Sequence, residues 1–161
     1  MVKSHEAYMG LALDQAEAAG ATGEVPVGAV LIDDSGKVIT SSGNQVITRL
    51  DPTAHAEMNC LREAAAQIGN YRLLNTILYV TIEPCVMCMG ALIHARVATI
   101  VFGATDPRWG GAGSIYDMAG DPRFNHHPQI ISGVCEDRCR TLLQDFFRAR
   151  RNSVESDKKL Q

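Results

Sequence analysis

The sequence predicts an α/β protein of three layers, in which a mixed five-stranded sheet lies between helices on both faces. Strand-like runs of β-branched residues alternate along the chain with segments of helical periodicity, a pattern typical of such sheets. The chain has 161 residues, of which 46% are hydrophobic and 20% charged, as expected for one folded domain with a full core. We therefore expect a single domain over residues 1–161.

The N-terminal part of the chain predicts a helix followed by a β-hairpin. Apolar residues recur at helical spacing over 4–19, and Gly20 ends the pattern. Two strand-like runs, 25–32 and 37–42, are separated by the turn sequence Asp-Asp-Ser-Gly. Because this turn is short, we expect the two strands to pair with each other.

The rest of the chain is predicted to alternate between helices and strands. Asp51 or Thr53 is expected to cap a helix that begins at about Ala54. The predicted elements, in chain order, are that helix over 54–68, a strand over 76–82, a helix over 84–95, a strand over 97–102, a glycine-rich loop over 103–113, a strand over 129–131 and a helix over 136–154. Residues 153–161 are expected to be frayed.

Composition argues against several classes of protein. No apolar segment follows Lys3, so no secretory signal peptide is predicted. The most apolar stretch, 86–104, carries His94 and Arg96 near its middle, which disfavours a membrane span. Five cysteines are too few and too scattered for a disulfide scaffold. We therefore expect a cytoplasmic protein that does not associate with membranes.

Charge is unevenly distributed along the chain. Residues 1–137 hold eight Lys and Arg against 15 Asp and Glu, whereas residues 138–161 hold seven against three. The basic C-terminal end indicates either a solvated helix face or a surface for an anionic partner.

Three residues predict a metal site. His55 and the Cys-x-x-Cys pair Cys85 and Cys88 supply one imidazole and two thiolates, a set that suits Zn²⁺ with a fourth position open to water. His55 and Cys85 both lie at the predicted start of a helix, where the helix dipole favours a thiolate over a thiol. Glu57 follows His55 by two residues and diverges from it by roughly 200° on a helix. That separation leaves Glu57 free to move protons rather than bind the metal.

Other interpretations of the Cys-x-x-Cys pair stay open at this point. A redox pair has the same spacing, although the surroundings are not those of a thioredoxin. A structural zinc site needs a fourth protein ligand, for which Cys60, Cys135 and Cys139 are candidates.

The motif residues resemble those of a known family. His55-x-Glu57 and Pro84-Cys85-x-x-Cys88 resemble the H-x-E and P-C-x-x-C signature of zinc deaminases. Longer segments resemble the family of tRNA-specific adenosine deaminases, and the resemblance covers about 4–151; these segments are 24–30, 51–57, 70–73, 78–88, 101–104 and 145–151.

The resemblance implies a fold, an activity and partners. The fold is cytidine deaminase-like, and the activity is zinc-dependent hydrolytic deamination of adenosine to inosine at the wobble position of a tRNA anticodon. The implied partners are the anticodon stem-loop of tRNA and a second copy of the chain in a homodimer. His55, Cys85 and Cys88 would hold one Zn²⁺ per chain, and Glu57 would be the catalytic proton carrier.

The resemblance also implies contacts to the substrate. Asn44 matches a residue that hydrogen-bonds the target base, the backbone of Ala56 would help hold the base edge, and Asp106 matches a residue near the RNA backbone. The chain departs from the family pattern at Arg108, followed by Trp109, where a lysine is frequent at position 108, and at Asn59-Cys60.

The C-terminal helix predicts an RNA-binding strip. Phe146 and Phe147 point about 100° apart on a helix, so one can pack inside while the other, with Phe147 as the candidate, meets a base. Arg148, Arg150 and Arg151 would neutralise phosphates. The alternative is a buried Phe pair with a solvated basic end.

The expected homodimer also rests on an apolar stretch. Residues 87–93 are too apolar for an exposed helix face; the alternative is that this helix is buried within a single chain. Two other functions remain open: a free-base or nucleoside deaminase acting on guanine or cytosine, and a zinc-stabilised RNA-binding subunit without catalysis.

Overall fold

The computed structural model describes residues 2–160. Its helices and strands, in chain order, are α1 (His5–Ala21), β1 (Gly28–Asp33), β2 (Val38–Gly43), α2 (Val46–Arg49), α3 (Ala56–Ile68), β3 (Thr76–Ile82), α4 (Val86–His94), β4 (Thr99–Ala104), β5 (Gln129–Ile131) and α5 (Glu136–Lys159). Among these residues, no helix has the length and apolar character needed to cross a membrane.

The strands form one mixed sheet in the order β2-β1-β3-β4-β5. β1 pairs antiparallel with both β2 and β3, whereas β3, β4 and β5 run parallel to one another. The two parallel pairings bring the C-terminal ends of β3 and β4 to the same edge, where loops carry functional groups in sheets of this kind.

Helices cover both faces of the sheet, which confirms the predicted three layers. On one face, Cys60 and Leu61 of α3 and Leu92 of α4 pack with sheet residues such as Leu78 and Val80. On the other face, α1 and α5 pack around Tyr79, the residue between those two in β3. The alternation along β3 follows from the strand's two-residue period.

One glycine allows a helix to approach the sheet closely. A Cβ on Gly28, the first residue of β1, would overlap the backbone of Ala12 and Ala16 in α1. Because α1 crosses β1 at this point, a larger residue would push the helix off the sheet.

Three predicted strands, β1, β2 and β4, are shifted by one to three residues, most at the starts of β1 and β4. β1 begins at Gly28 instead of Val25, because Pro26 has no N–H to donate to a sheet. β4 begins at Thr99, because Val97 still donates to Leu92 in the turn that ends α4. Arg96 lies in that turn and has a left-handed backbone conformation, with a φ of 62°.

The helix bounds also differ in places. The predicted cap of α3 is wrong: Asp51 Oδ1 accepts hydrogen bonds from the Thr53 N–H and hydroxyl, so it forms a turn before the helix, and His55 is the residue at the N-cap. The short helix α2 was not predicted. α5 continues to Lys159, whereas the sequence predicts fraying from Ser153; Gln161 lies outside the described residues.

Candidate active site

Two helix N-termini bring the predicted metal ligands together. His55 is the N-cap residue of α3 and Cys85 that of α4, and both have extended backbones. Cys88 lies in the first turn of α4 and is buried. The Nδ1 atom of His55 lies 3.7 Å from the Cys85 Sγ and 3.6 Å from the Cys88 Sγ.

This group fits a zinc ion. The three ligand atoms lie within 4.8 Å of one another, and no other metal-binding group of His, Cys, Asp or Glu occurs in residues 2–160. With Zn–S of about 2.3 Å and Zn–N of about 2.0–2.1 Å, tetrahedral geometry puts a sulfur and a nitrogen ligand about 3.5–3.6 Å apart. The observed His–Cys separations match that value, so the donor set is spaced as zinc ligands are.

The alternative fourth ligands are elsewhere. Cys60 is buried in α3, its Sγ contacts the Ala29 carbonyl, and burial raises the pKa of its thiol. Cys139 is buried under Gly103 on the opposite face of the sheet, and Cys135 is packed beside it. The site therefore has three protein ligands, the number typical of catalytic zinc.

The site favours one thiolate even without a metal. A hydrogen bond from Cys88, together with one from His55, lowers the pKa of Cys85 to about 4 in spite of partial burial. A thiolate is the form in which cysteine binds a metal.

Glu57 is a buried carboxylate whose hydrogen-bonding capacity is only partly used. It lies in the first turn of α3, and its Oε2 atom has no hydrogen-bond partner among the described residues. Burial raises the pKa of its carboxyl to about 7. A carboxyl group that can hold or release a proton near neutral pH is suited to general acid–base chemistry.

These groups lie in one large cavity of about 1230 Å³. His55, Glu57 and Cys85 line it together with Asn44, so most of the predicted chemistry shares one space. The lining also includes aromatic and charged residues from the loop after β4 and from α5: Asp106, Arg108, Trp109, Arg140, Phe147, Arg148 and Arg151.

Comparison with known proteins identifies the family. The family described as the cytidine and deoxycytidylate deaminase zinc-binding region matches residues 2–104. The chain belongs to this family. It is therefore a zinc-dependent deaminase, an enzyme that acts on a C–N bond.

Relatives along nearly the whole chain carry a more specific name. The tRNA-specific adenosine deaminase of Haemophilus influenzae is 46% identical over 155 residues, which cover 96% of this chain and 90% of that protein. The tRNA-specific adenosine deaminase of Bacillus subtilis is 42% identical over 154 residues, covering 96% and 95%.

Solved structures confirm the cytidine deaminase-like fold. A structure from studies of A-to-I editing by tRNA:A34 deaminases at the wobble position has a TM-score of 0.82 and 42% identity, covering 85% of this chain and 99% of that one. Guanine deaminase from Nitrosomonas europaea has a TM-score of 0.78 and 27% identity, covering 91% and 86%.

A hydrogen bond joins Asn44 and Ala56 of this deaminase. Asn44 follows β2, and its Oδ1 atom accepts a hydrogen bond of 2.9 Å from the Ala56 N–H. This bond satisfies one of the free N–H groups at the start of α3. The N–H of Ala56 is thus engaged within the protein, whereas the sequence predicts that its backbone holds the base.

Asn59, one of the departures from the family pattern, supports the same region. Its Nδ2 atom lies 3.0 Å from the carbonyl oxygen of Gly43 and 3.3 Å from that of Ala54. The buried amide thereby ties the end of β2 to the residue before His55. The sequence does not reveal this role, because the partners are backbone atoms brought close by folding.

Glu83 was missed and organises the loop after β4. The buried carboxylate accepts hydrogen bonds from the N–H groups of Asp106, Ala112 and Ser114 at 3.1, 3.0 and 3.1 Å, and from the Ser114 hydroxyl. A Cβ at Gly110 would overlap this carboxylate. The sequence signal was an acidic residue directly before Pro84-Cys85, but its four donors lie 23 to 31 residues away.

Glu24 is a second buried carboxylate that sequence reasoning missed. It accepts hydrogen bonds from the N–H groups of Ile47 and Thr48 and from the Thr48 hydroxyl, at 2.7–3.0 Å. Burial opposes its ionisation, but these hydrogen bonds hold the pKa of Glu24 below its usual value. Glu24 thereby anchors α2, which follows directly on the segment that carries Asn44.

Of the four α5 residues predicted to bind RNA, three line the cavity and one does not. Phe147, Arg148 and Arg151 line the cavity, and Phe147 is 42% exposed. Arg150 does not line it; its guanidinium lies 5.6 Å from the centre of the Phe146 ring and faces a neighbouring groove.

Asp106 lines the cavity and also shapes its own loop. Its Oδ1 atom accepts hydrogen bonds from the N–H groups of Arg108 and Trp109, at 3.0 and 3.3 Å. Trp109 and Arg108, which depart from the family pattern, lie on the rim of the same cavity.

Proposed function

We propose that this chain catalyses hydrolytic deamination of adenosine to inosine at the wobble position of a tRNA anticodon. The observation that carries the proposal is one cavity that combines a three-ligand zinc site and a buried carboxylate with a rim of aromatic and arginine side chains. The chemistry of deamination needs the first part, and a nucleic-acid substrate needs the second. Relatives named tRNA-specific adenosine deaminases, at 42–46% identity, support it.

The proposed zinc ligands are His55, Cys85 and Cys88. When bound, zinc acidifies a water molecule and so supplies a nucleophile at neutral pH. The short ligand separations and the low pKa of Cys85 support this assignment.

Glu57 is the proposed proton carrier. It accepts a proton from the attacking water and delivers it to N1 of adenine so that C6 becomes electrophilic. It then takes the remaining proton from the new hydroxyl group on C6 and supplies it to the amine, which leaves as ammonia. The balance is adenosine plus water giving inosine plus ammonia. Its unpartnered Oε2 atom supports the role, because a buried carboxylate held only for stability would have its oxygens satisfied.

Asn44 is proposed to recognise the base. Its Oδ1 atom is committed to Ala56, while its Nδ2 group makes no hydrogen bond within residues 2–160 and its side chain lines the cavity. The amide therefore presents a donor to an acceptor on the purine ring. Ala56 contributes by fixing the orientation of Asn44.

The anticodon stem-loop is proposed to dock on the rim. Arg148 and Arg151 would neutralise phosphates, Phe147 would contact a base, and Asp106 would lie near the RNA backbone through the loop it shapes. Arg150 would act from the neighbouring groove. A loop nucleotide is already unpaired, so moving it into the cavity costs less than extruding it from a duplex. Because tRNA is found in the cytoplasm, a cytoplasmic location is proposed for this protein.

A homodimer is also proposed, on a surface other than the apolar stretch 87–93 that the sequence predicts. Met89, Leu92 and Ile93 are buried within the single chain, so the apolar character of α4 is mostly explained by its own core. Tyr71 and Leu74 are exposed and lie within two residues of Leu73, whose N–H donates to the Ala95 carbonyl oxygen at the end of α4, and they offer an apolar surface to a second copy. Sedimentation at micromolar concentration tests this proposal, and a monomer would reject it.

A free-base deaminase is the second candidate function, because guanine deaminase from Nitrosomonas europaea shares the fold. A substrate panel separates the two functions. Zinc-loaded protein should form inosine in a synthetic anticodon stem-loop and release little ammonia from guanine, cytosine or free adenosine. Faster ammonia release from guanine than from the stem-loop would overturn the proposed function in favour of the second.

A further inference from the structure

Trp109 is an exposed aromatic side chain on a firmly held loop. Its side chain is 68% exposed, although tryptophan is usually largely buried, and it lies on the rim of the cavity. The ring is therefore accessible to a partner outside the chain.

The backbone around Trp109 is fixed to the metal site. The Trp109 N–H donates to Asp106, and the next residue, Gly110, forms a bridge with Cys85. The Gly111 N–H donates to the carbonyl oxygen of Pro84, at 2.8 Å. Because Glu83 fastens the same loop from beneath, the Trp109 backbone is held beside a metal ligand while its ring remains open to a partner.

The surroundings of Trp109 define the chemistry of that partner. Arg108 adjoins it, and Phe147, Arg148 and Arg151 of α5 line the same cavity. Aromatic rings interspersed with guanidinium groups are typical of single-stranded nucleic acid sites, where bases stack and phosphates are neutralised. A free base would occupy only the inner part of the cavity, so the rim serves a substrate that extends beyond the reacting base.

We propose that Trp109 stacks on the base of the nucleotide next to the target adenosine and thereby sets a sequence preference at that position. The inference rests on the proposed function, because it requires an RNA substrate. A purine offers a larger face than a pyrimidine, so a purine neighbour should bind more tightly.

The chain contains a single tryptophan, so its fluorescence reports on position 109 alone. The probe is a synthetic RNA stem-loop with adenosine at the wobble position, added to zinc-loaded protein carrying Glu57→Ala so that the RNA is not consumed. We expect binding to quench the fluorescence. One of two RNAs, abasic on the 5′ or on the 3′ side of the adenosine, should bind with that quenching largely lost.

Variants then separate stacking from a structural role. Trp109→Ala should weaken stem-loop binding by roughly five- to 150-fold, as expected for loss of one stacked base, and Trp109→Phe should recover much of it. The Ala variant should also lose the preference for a purine neighbour. Tyr116→Ala is the matched control, because Tyr116 is 61% exposed on the same loop but does not line the cavity, and it should bind as the parent does.

The outcomes distinguish this inference from the proposed function. If the wild-type protein forms inosine in the stem-loop but both abasic RNAs quench fully, or Trp109→Ala binds with unchanged affinity, the stacking proposal is overturned and the proposed function stands. If the wild-type protein neither binds nor deaminates the stem-loop, both are overturned.

Discussion

Replacing Glu83 by glutamine perturbs the active-site loop through one buried atom. Glu83 accepts hydrogen bonds at both carboxylate oxygens: Oε1 from the Asp106 N–H and the Ser114 hydroxyl, and Oε2 from the Ala112 and Ser114 N–H groups. A glutamine keeps one oxygen and points an NH₂ group at two former donors. The best arrangement puts the NH₂ group on the Oε1 side, because the Ser114 hydroxyl can turn and accept a hydrogen bond from it. Only the Asp106 N–H then has no acceptor.

The expected cost follows from that count. One buried N–H without an acceptor costs about 1–3 kcal/mol, so Glu83→Gln should lower the free energy of unfolding by that amount. Glu83→Ala leaves three N–H groups without an acceptor and should cost about 3 kcal/mol or more. Both variants should also lose activity on the stem-loop, because the loop carries Asp106 and Trp109.

Urea unfolding of zinc-loaded protein, together with kcat/KM on a stem-loop, measures both effects. Glu17→Gln is the matched control, because Glu17 is exposed on α1 and its loss of charge should leave stability within about 0.5 kcal/mol of wild type. If Glu83→Gln unfolds at the same urea concentration as wild type and has full activity, the assigned role of the carboxylate is wrong.

The other predictions concern the metal, the proton carrier, the base and the RNA. Metal analysis should find that Cys88→Ser has lost zinc and that Cys139→Ser has kept it. If Cys88→Ser retains zinc and full activity, Cys88 is not a zinc ligand. Glu57→Ala should keep fold and zinc but lower single-turnover deamination by about 10²–10⁴, and a loss below about tenfold would exclude proton transfer by this group. Asn44→Asp should keep the acceptor for Ala56 and hence the melting temperature, but raise KM; an equal fall of stability and activity would indicate a purely structural role. Removal of residues 148–161 should leave zinc content unchanged but weaken stem-loop binding and flatten its salt dependence, since phosphate contacts release counterions; unchanged affinity and slope would place the RNA elsewhere.

Local sequence patterns were sufficient for the metal site and most of the fold. His55, Cys85 and Cys88 stand out because a metal site needs particular residue types, and β3 and β5 were predicted with the bounds observed. Each strand, and each half of the metal site, can be recognised within a short segment, although His55 lies 30 residues from Cys85.

The features that were missed depend on distant residues. The helix α2 has the β-branched sequence Val-Ile-Thr, and it is held by Glu24, 23 residues away from Ile47, which no periodicity reveals. The role of Glu83 likewise required the fold, because its donors are mainly backbone N–H groups. Backbone atoms carry no residue type, so the sequence could not show that the Ala56 N–H is occupied by Asn44.

The most direct test of the central claim is where inosine forms in RNA. Zinc-loaded protein is incubated with a stem-loop carrying adenosine at the wobble position and with a second stem-loop in which that adenosine is moved one position along the loop. Nucleoside mass spectrometry should find inosine in the first RNA and at least tenfold less in the second, with neither reacting with Glu57→Ala. Absence of inosine from both RNAs, while the zinc-loaded protein deaminates a free base, would contradict the account.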